Sequence, residues 1–313
     1  MPKFIITICT AKRPKMLSAA LGSLTKLSIP VGATFCILVI ENDSHARSAD
    51  VVDTFRKASP FLVAHAVEPK IGIPFARNRA LEEALALGAD WIAMIDDDEL
   101  VEANWLVALY NACLAFNAEV ATGPVKQITD GAPPPWWKPV ADSRDVTGEL
   151  RRDAYTNNVL FSSRLAAKDG LNLKFDVRFM YGAEDLDFFR RAYDKGVRIV
   201  SVADAAVIEV VPAARLILKR YLERNSMIAA SNSFFRVVHQ GRIKAFQSRI
   251  PGIIRRLLTG LLLIVIGTII WLFARTQGER LVVKGASGLA KAIGSFSGLV
   301  GRASNYYTRV DGA

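Results

Sequence analysis

Four short apolar runs lie within the first hundred residues, and helical periodicity follows two of them. The runs are Phe4–Thr10, Phe35–Ile40, Phe61–Ala66 and Trp91–Ile95. Apolar residues recur at helix spacing between Met16 and Leu24, and again over Ala76–Leu87 before Gly88. Continuous apolar strands that alternate with helices are typical of a mainly parallel sheet covered by helices on both faces. The pattern therefore predicts an α/β fold, whose ligands bind beyond the carboxyl ends of the strands.

Acidic clusters directly follow two of these runs, at the edge where ligands bind. Asp96-Asp97-Asp98-Glu99 follows the fourth run, and Glu41-Asn42-Asp43-Ser44 follows the second. Four consecutive acids repel one another, so they indicate either a well-solvated turn or a site for a divalent cation. Mg²⁺ and Mn²⁺ prefer such hard oxygen ligands and commonly keep water and substrate phosphates as their other ligands.

A further acidic group, Glu184-Asp185-Leu186-Asp187, precedes a predicted helix over Phe188–Lys195. Acids in a first helical turn complement the helix dipole, which is a sufficient account of Asp187. Alternatively, a carboxylate near a metal-bound phosphate accepts a proton from an attacking hydroxyl. The residues alone leave both alternatives open.

Several other classes of protein are disfavoured. The three cysteines, Cys9, Cys36 and Cys113, are too few and too scattered for a disulfide framework or a zinc cluster, which indicates a reduced, cytosol-facing protein. Phe4–Thr10 is too short for a signal peptide, and no basic region precedes it. Neither G-x-G-x-x-G nor G-x-x-x-x-G-K-[ST] occurs, so a Rossmann dinucleotide site and a P-loop are not predicted.

The formal net charge of +10 comes entirely from the C-terminal third. Residues 1–212 contain 24 Lys+Arg and 27 Asp+Glu, whereas residues 213–313 contain 16 Lys+Arg and three acids. Because the cations lie beside an apolar run and not on the acidic N-terminal part, nucleic-acid binding is disfavoured. We therefore predict a catalytic domain over residues 1–212 and a basic, helical, membrane-associating region over residues 213–313.

Leu257–Ala274 is an 18-residue stretch without a charge, and arginines flank it on both sides. As a helix it would be about 27 Å long, close to the lower limit for a bilayer span. The basic flanks suit anionic lipid headgroups, and Trp271 suits the interface. A buried core helix is the alternative, and whether the stretch crosses the bilayer or only enters it stays open. Leu281–Gly301 is predicted to be an interfacial amphipathic helix.

The order and spacing of these motifs resemble the inverting nucleotide-sugar glycosyltransferases of family 2, over roughly residues 3–212. The resemblance implies a GT-A-type fold and a hexosyltransferase that inverts the anomeric centre by direct displacement. The matching residues are Thr10, Arg13-Pro14, Glu41-Asn42-Asp43-Ser44, Gly72-Ile73-Pro74-Phe75-Ala76-Arg77-Asn78, Asp96-Asp97-Asp98, Asn158, Phe175-Asp176, Gly182-Ala183-Glu184-Asp185, Phe188-Phe189-Arg190-Arg191-Ala192 and Gly196.

The resemblance implies a nucleotide-binding role for residues at the ends of the early strands. Asp43 would bind the nucleoside, which is expected to be uridine. Thr10 and Arg13 would lie near the base, and Arg77 near the base or the diphosphate.

The resemblance also assigns the acidic clusters. Asp96 and Asp98 match the outer acids of the D-x-D motif and would hold Mg²⁺ or Mn²⁺. Asp96 and Asp97 would in addition contact the nucleotide sugar. Asp185 matches the general base of the family, and Glu184 is the other candidate.

Two departures from the family pattern and one further match narrow the chain's place within the family. The Q-x-x-R-W motif of processive polysaccharide synthases is absent, which favours one sugar added per encounter. Where some relatives have a histidine as a further metal ligand, this chain has Glu209. Residues Glu209 to Arg215 match the E-x-x-P-x-x-R stretch of transferases that build bacterial exopolysaccharide repeat units of the succinoglycan type.

Two adjacent tryptophans, Trp136 and Trp137, lie in the Pro-rich stretch Asp130–Pro139. Exposed indole rings stack on the apolar faces of sugars, which would place both residues on the acceptor side. The alternative is that the rings pack into the domain and fix the loop. The sequence leaves both open for each residue.

These expectations describe a metal-dependent, non-processive glycosyltransferase at the cytoplasmic face of the inner membrane. It would move one sugar from a nucleotide sugar, expected to be a UDP-sugar, to a lipid-linked glycan acceptor in exopolysaccharide or surface-glycan assembly. Its predicted partners are the donor, the acceptor and membrane lipids, with no nucleic acid. The alternative is a non-catalytic membrane scaffold on the same fold, which is disfavoured because all the expected acids are present.

Overall fold

The computed structural model describes residues 1–139, 146–180 and 182–301. Residues 140–145 of the predicted acceptor-side loop and residues 302–313 of the basic region, including Asp311, lie outside the described residues. The strands are β1 (Lys3–Thr10), β2 (Thr34–Glu41), β3 (Leu62–Val67), β4 (Trp91–Asp96), β5 (Glu99–Val101), β6 (Val120–Thr122), β7 (Val125–Thr129), β8 (Leu150–Arg151), β9 (Asn158–Ser162), β10 (Ile199–Ser201) and β11 (Val207–Val211). The helices are α1 (Pro14–Leu24), α2 (Ala49–Ala58), α3 (Ile73–Ala86), α4 (Trp105–Ala115), α5 (Glu184–Asp194), α6 (Leu218–Gln240), α7 (Arg242–Trp271) and α8 (Arg275–Leu299).

The four predicted apolar runs form β1 to β4 and make one half of an eight-stranded sheet, ordered β3-β2-β1-β4-β9-β6-β10-β8. These four strands are parallel to one another, as predicted. The other half is mixed, because β9 runs antiparallel to both β4 and β6 and β8 runs antiparallel to β10. A second sheet has the order β5-β11-β7 and begins three residues after β4 ends.

Helices cover both faces of the main sheet. One apolar layer contains side chains of α1, α2 and α4, such as Leu21, Val52 and Trp105. The other contains side chains of α3 and α5, such as Leu81 and Phe188. With both faces buried, the polar clusters at the strand ends are left at the carboxyl edge of the sheet.

Strand register brings those polar clusters to the same place. Thr10 at the end of β1 pairs with Glu41 at the end of β2. On the other side of β1, Cys9 pairs with Asp96 at the end of β4. The polar residues that follow these three strands therefore begin at one level of the sheet.

The C-terminal helices form a layer in which α8 packs against both α6 and α7. Glycines permit this close packing. A Cβ on Gly285 would lie 2.5 Å from the Gly260 carbonyl oxygen of α7, and a Cβ on Gly294 or Gly298 would overlap carbonyl groups of α6. The predicted interfacial helix is thus the middle helix of a packed layer.

The α6 helix joins this layer to the α/β domain. The Phe179 ring contacts the rings of Phe234 and Phe235 on α6, with centroids 5.5 and 6.2 Å away. At the end of α6, His239 Nε2 lies 2.8 Å from the Oδ1 atom of the buried Asp187 on α5. The predicted domain boundary after residue 212 lies between β11 and the short turn that leads into α6.

The helix that contains most of the predicted apolar stretch Leu257–Ala274 is α7. It begins earlier than predicted, at Arg242, and also ends earlier, at Trp271. Among the described residues it is the one helix long and apolar enough to cross a bilayer. Only 17% of its most apolar stretch is buried inside the protein, so a buried core helix is disfavoured. Its exposed side chains include Leu258, Leu261, Leu262, Val265 and Ile269.

We expect Gly285→Ala to destabilise the layer of α7 and α8 by about 1–3 kcal/mol, because the added methyl group meets the backbone of α7. Gly288→Ala in the same helix is the matched control. Its Cβ would meet its nearest atom at 3.5 Å, so the change should be neutral or stabilise the helix by up to about 1 kcal/mol. Thermal unfolding of the two variants measures the difference, and equal midpoints would contradict this account of the packing.

Candidate active site

Four acidic residues are concentrated at the end of β4. Asp96 is the last residue of the strand, Asp97 and Asp98 form a turn, and Glu99 begins β5. Asp97, Asp98 and Glu99 are buried, whereas 43% of the Asp96 side chain is exposed. Buried carboxylates this close together require compensating cations or protons.

Arg13 and Thr10 stabilise the negative charge of the Asp97 carboxylate. Arg13 Nη1 lies 3.0 Å from Asp97 Oδ1 and 3.6 Å from Asp98 Oδ2. The Thr10 hydroxyl donates to Asp97 Oδ2 at 2.7 Å. The sequence predicts that Thr10, Arg13 and Asp97 contact the nucleotide. In the structure they contact one another at the carboxyl ends of β1 and β4.

Arg215 neutralises the negative charge of the Asp98 carboxylate. Its Nη2 atom lies 2.9 Å from Asp98 Oδ2, and its Nη1 atom lies 2.8 Å from Glu209 Oε1. The side-chain amide of Gln127 donates to the other Glu209 oxygen at 2.7 Å. Pro212 precedes the short helical turn Ala213–Leu216, which places Arg215 beside Glu209 and Asp98. This turn explains the spacing of the E-x-x-P-x-x-R stretch. That spacing marks Arg215 in the sequence, but its pairing with Asp98 arises only in the fold.

Arg77 connects the acidic turn to α5. Its guanidinium forms a buried ion pair with Glu184, the first residue of α5, and its Nη2 atom lies 3.6 Å from Asp96 Oδ1. Asp185 is half-buried, and its carboxylate accepts the Leu186 N–H at 2.7 Å. Glu184 is therefore committed to Arg77, whereas Asp185 remains the partly exposed carboxylate at the start of α5.

Burial and neighbouring charges raise the pKa of Asp96, Asp97 and Glu99. Loss of solvent around the carboxylate raises the pKa of Asp96, Arg77 opposes this, and the charges of Asp98, Asp97 and Asp185 reinforce it. Burial also raises the pKa of Glu99. The influence of Asp185 on Asp96 shows that the two carboxylates are close enough to interact. A divalent cation between such groups would stabilise their ionised forms.

The residues fit a metal ion that takes part of its ligands from a substrate. In residues 1–139, 146–180 and 182–301, no group of three or more His, Cys, Asp or Glu side chains is arranged to hold a metal. Mg²⁺ is commonly bound by one or two carboxylates together with phosphates and water. Asp96 and Asp98 supply that number of hard oxygen donors. Glu209, at the position of the family's histidine, is bound to Arg215.

Glu41 and Asn42 of the Glu41-Asn42-Asp43-Ser44 cluster support neighbouring helices, and Asp43 is held by Ser44 and Arg47. Buried Glu41 accepts the backbone N–H of Ser48 before α2, and Asn42 Oδ1 accepts the Gly72 N–H before α3, at 3.0 and 2.8 Å. Burial opposes ionisation of Asp43, but hydrogen bonds from the next residue and nearby cations lower its pKa overall. Asp43 is thus an anionic acceptor at the same sheet edge.

The Pro-rich loop contacts the helical layer. Trp136 and Trp137 are both half-buried, and the Trp136 ring lies 5.0 Å from the Tyr221 ring of α6. Arg280 Nε of α8 donates to the Pro135 carbonyl oxygen at 2.7 Å. The Trp136 ring thus contacts α6, and the acceptor-side role of Trp136 and Trp137 stays a prediction.

Comparisons with known proteins agree with the fold. Residues 5–183 match the profile of "Glycosyl transferase family 2". The chain is 31% identical over 215 residues to the succinoglycan biosynthesis protein ExoM of Rhizobium meliloti (strain 1021), covering 67% of each chain. The mannosyltransferase PcManGT of Pyrobaculum calidifontis, in complex with GDP-Man and Mn²⁺, is similar in fold, with a TM-score of 0.61, 13% identity and coverage of 94% of this chain and 87% of that one. S. aureus TarS 1-349 in complex with UDP gives a TM-score of 0.51, 17% identity and coverage of 94% and 91%.

We expect Arg77→Leu to destabilise the protein by about 3–5 kcal/mol, because it leaves Glu184 charged and buried without its partner. Arg79→Leu in the same helix is the control. Arg79 pairs with Glu83 at 2.7 Å on a partly exposed face, so its loss should cost less than about 1 kcal/mol. Denaturant unfolding measures both, and similar losses in the two variants would refute the importance of the buried pair.

Proposed function

This chain belongs to glycosyl transferase family 2, and we propose that it transfers one sugar per encounter from a UDP-sugar to a lipid-linked glycan. The matched relative is named for succinoglycan biosynthesis, which supports a role in assembling an exopolysaccharide or related surface glycan. The absence of Q-x-x-R-W supports non-processive transfer. The proposal rests above all on one arrangement: half-buried Asp185 at the start of α5 interacts electrostatically with Asp96, while buried Glu184 is paired with Arg77.

The donor would bind at the carboxyl edge of β1, β2 and β4. Asp43 accepts hydrogen bonds from the nucleoside, and Arg77 lies where it can neutralise the diphosphate. Asp96 contacts the sugar side of the donor. Thr10, Arg13 and Asp97 contact one another, so we assign them to shaping the floor of the nucleotide site.

Asp98 and Asp96 would hold Mg²⁺ or Mn²⁺ together with the diphosphate. When bound, the ion acts as a Lewis acid that stabilises negative charge on the leaving diphosphate. Arg215 fixes the Asp98 carboxylate by its 2.9 Å contact and adds positive charge beside it. Arg13 adds a second cation at 3.6 Å from the same carboxylate oxygen.

Asp185 would accept the proton of the attacking acceptor hydroxyl. A general base must be accessible to the attacking hydroxyl, and Glu184 is buried against Arg77, whereas Asp185 is only half-buried. Attack by the activated hydroxyl on the face opposite the diphosphate displaces it directly and inverts the anomeric centre. Asp187 is bound by His239 and Arg191, which supports a structural role for it.

The competing function is a membrane scaffold without catalysis. A panel of UDP-sugars incubated with the purified protein and Mn²⁺ separates the two. Release of UDP above the protein-free rate supports the transferase, and no release from any donor supports the scaffold.

We propose that α7 attaches the protein to the cytoplasmic face of the inner membrane by lying within one leaflet. Lys284 is exposed and adjoins Gly285, which packs beside Ile264 in the middle of the apolar stretch. If α7 crossed the bilayer, α8 would bring Lys284 near its centre, at a cost of about 2.5–3.5 kcal/mol. An in-plane position leaves Lys284 and the neighbouring arginines at the headgroups.

We expect Asp185→Asn to abolish sugar transfer while UDP binding changes less than about twofold, because the amide cannot take the proton and makes no essential nucleotide contact. The matched control is Asp194→Asn at the exposed end of the same helix, which should retain activity. Turnover and calorimetric UDP titration measure the two effects. Full turnover by Asp185→Asn would assign the base elsewhere.

We expect the double variant Leu258→Glu/Leu262→Glu to lose binding to vesicles that contain anionic phospholipid, because both side chains lie on the exposed apolar face of α7. Leu62→Glu/Leu114→Glu makes the same change at two exposed leucines of the catalytic domain and should bind as the wild type does. Vesicle sedimentation measures binding. Equal sedimentation of both variants would place the attachment surface elsewhere.

A further inference from the structure

An open cavity of about 300 Å³ lies where the start of α6, the end of α7 and the first turns of α8 meet. Its lining is mainly apolar and consists of Leu218, Thr268, Trp271, Glu279, Val282 and Val283. We propose that this groove binds the hydrocarbon chain of the lipid-linked acceptor and so directs the attached glycan to Asp185. The inference rests on the proposed function, whose acceptor it locates.

The groove is close to the candidate active site along the chain. Leu218, which lines it, follows Arg215 by three residues, so their Cα atoms are at most about 11 Å apart. Arg215 contacts the Asp98 carboxylate at 2.9 Å. A lipid bound in the groove would therefore have its polar end within reach of the acidic turn.

The Pro-rich loop connects the groove to the catalytic domain. Trp136 packs on Tyr221, one helical turn beyond Leu218 on α6. On α8, Arg280 follows the groove residue Glu279 and donates to the Pro135 carbonyl oxygen. The loop is thus attached to two of the three helices that form the groove. A glycan leaving the groove would pass along this loop.

The surroundings of the groove select an amphiphile with an anionic head. Leu272 and Phe273 follow Trp271 and are 69% and 88% exposed, so an apolar surface continues outward from the groove. Lys219 adjoins Leu218, and the Arg275 guanidinium lies 5.2 Å from the Trp271 ring. A hydrocarbon chain fits the lining and a phosphate fits these cations, whereas the apolar walls disfavour a free sugar or nucleotide.

Quenching of Trp271 fluorescence by a bromine-labelled dodecyl phosphate tests the groove directly, with the full chain in nanodiscs of zwitterionic lipid. We expect saturable quenching that is largely lost in Trp271→Phe. Val282→Phe, which fills the groove, should weaken binding by about tenfold or more. Thr268→Phe fills it from an exposed position and serves where Val282→Phe does not fold. Val300→Phe, directly after α8, is the matched control and should bind as the wild type does.

Three outcomes would overturn the proposal: equal binding by Thr268→Phe and the wild type, saturable quenching retained in Trp271→Phe, or equal quenching of all variants by brominated phosphatidylglycerol. The last result would indicate contact with bulk membrane lipid only. Release of UDP from a UDP-sugar, measured on the same variants without the lipid probe, tests the transferase separately. Loss of lipid binding with UDP release retained, or the reverse, distinguishes failure of one proposal from failure of the other.

Discussion

Compensation of the buried carboxylates at the end of β4 is the constraint on which the rest of the structure depends. Asp97, Asp98 and Glu99 lie inside the protein within three residues of one another. Arginines from three separate parts of the chain neutralise this acidic turn: Arg13 before α1, Arg77 in α3 and Arg215 after β11. The ion pairs that allow these carboxylates to be buried therefore also fix the positions of α1, α3 and the beginning of the helical layer around the site.

This arrangement links the chemistry to the membrane region. Arg215 lies in the turn that joins the second sheet to α6, and α6 packs on α8, which packs on α7. The Glu184–Arg77 pair similarly fixes α5 at the acidic turn, and His239 of α6 reaches the same helix through Asp187. Attachment of α7 to a bilayer would thus present the acidic edge at a defined distance from lipid. That geometry suits an acceptor whose chain stays in the membrane while its glycan reacts.

The sequence predicted the first four strands, the acidic edge and the apolar helix, because these depend on local apolar patterns and on the rule that parallel strands end at one edge. It did not predict the antiparallel β9, whose direction is set by its pairing with β4 and β6. Nor could it separate Glu184 from Asp185, because only the fold brings Arg77 beside one of them. The position of α8 depends on glycine contacts such as Gly285 with Gly260. The seven-residue spacing of Gly260 with Gly267 and of Gly278 with Gly285 marks these contacts in the sequence, but it does not say which helices meet. The ion pairs of Arg215 with Asp98 and Glu209 likewise form only in the tertiary structure.

The central claim is that the acidic edge binds a nucleotide diphosphate through a divalent cation. Calorimetric titration of UDP into the metal-free wild-type protein, with and without Mn²⁺, tests it most directly. We expect binding that strengthens at least tenfold with Mn²⁺ and is reversed by a chelator, because Asp96 and Asp98 repel the diphosphate when no divalent cation lies between them. Equal UDP affinity in the two titrations, or no binding in either, would contradict the account.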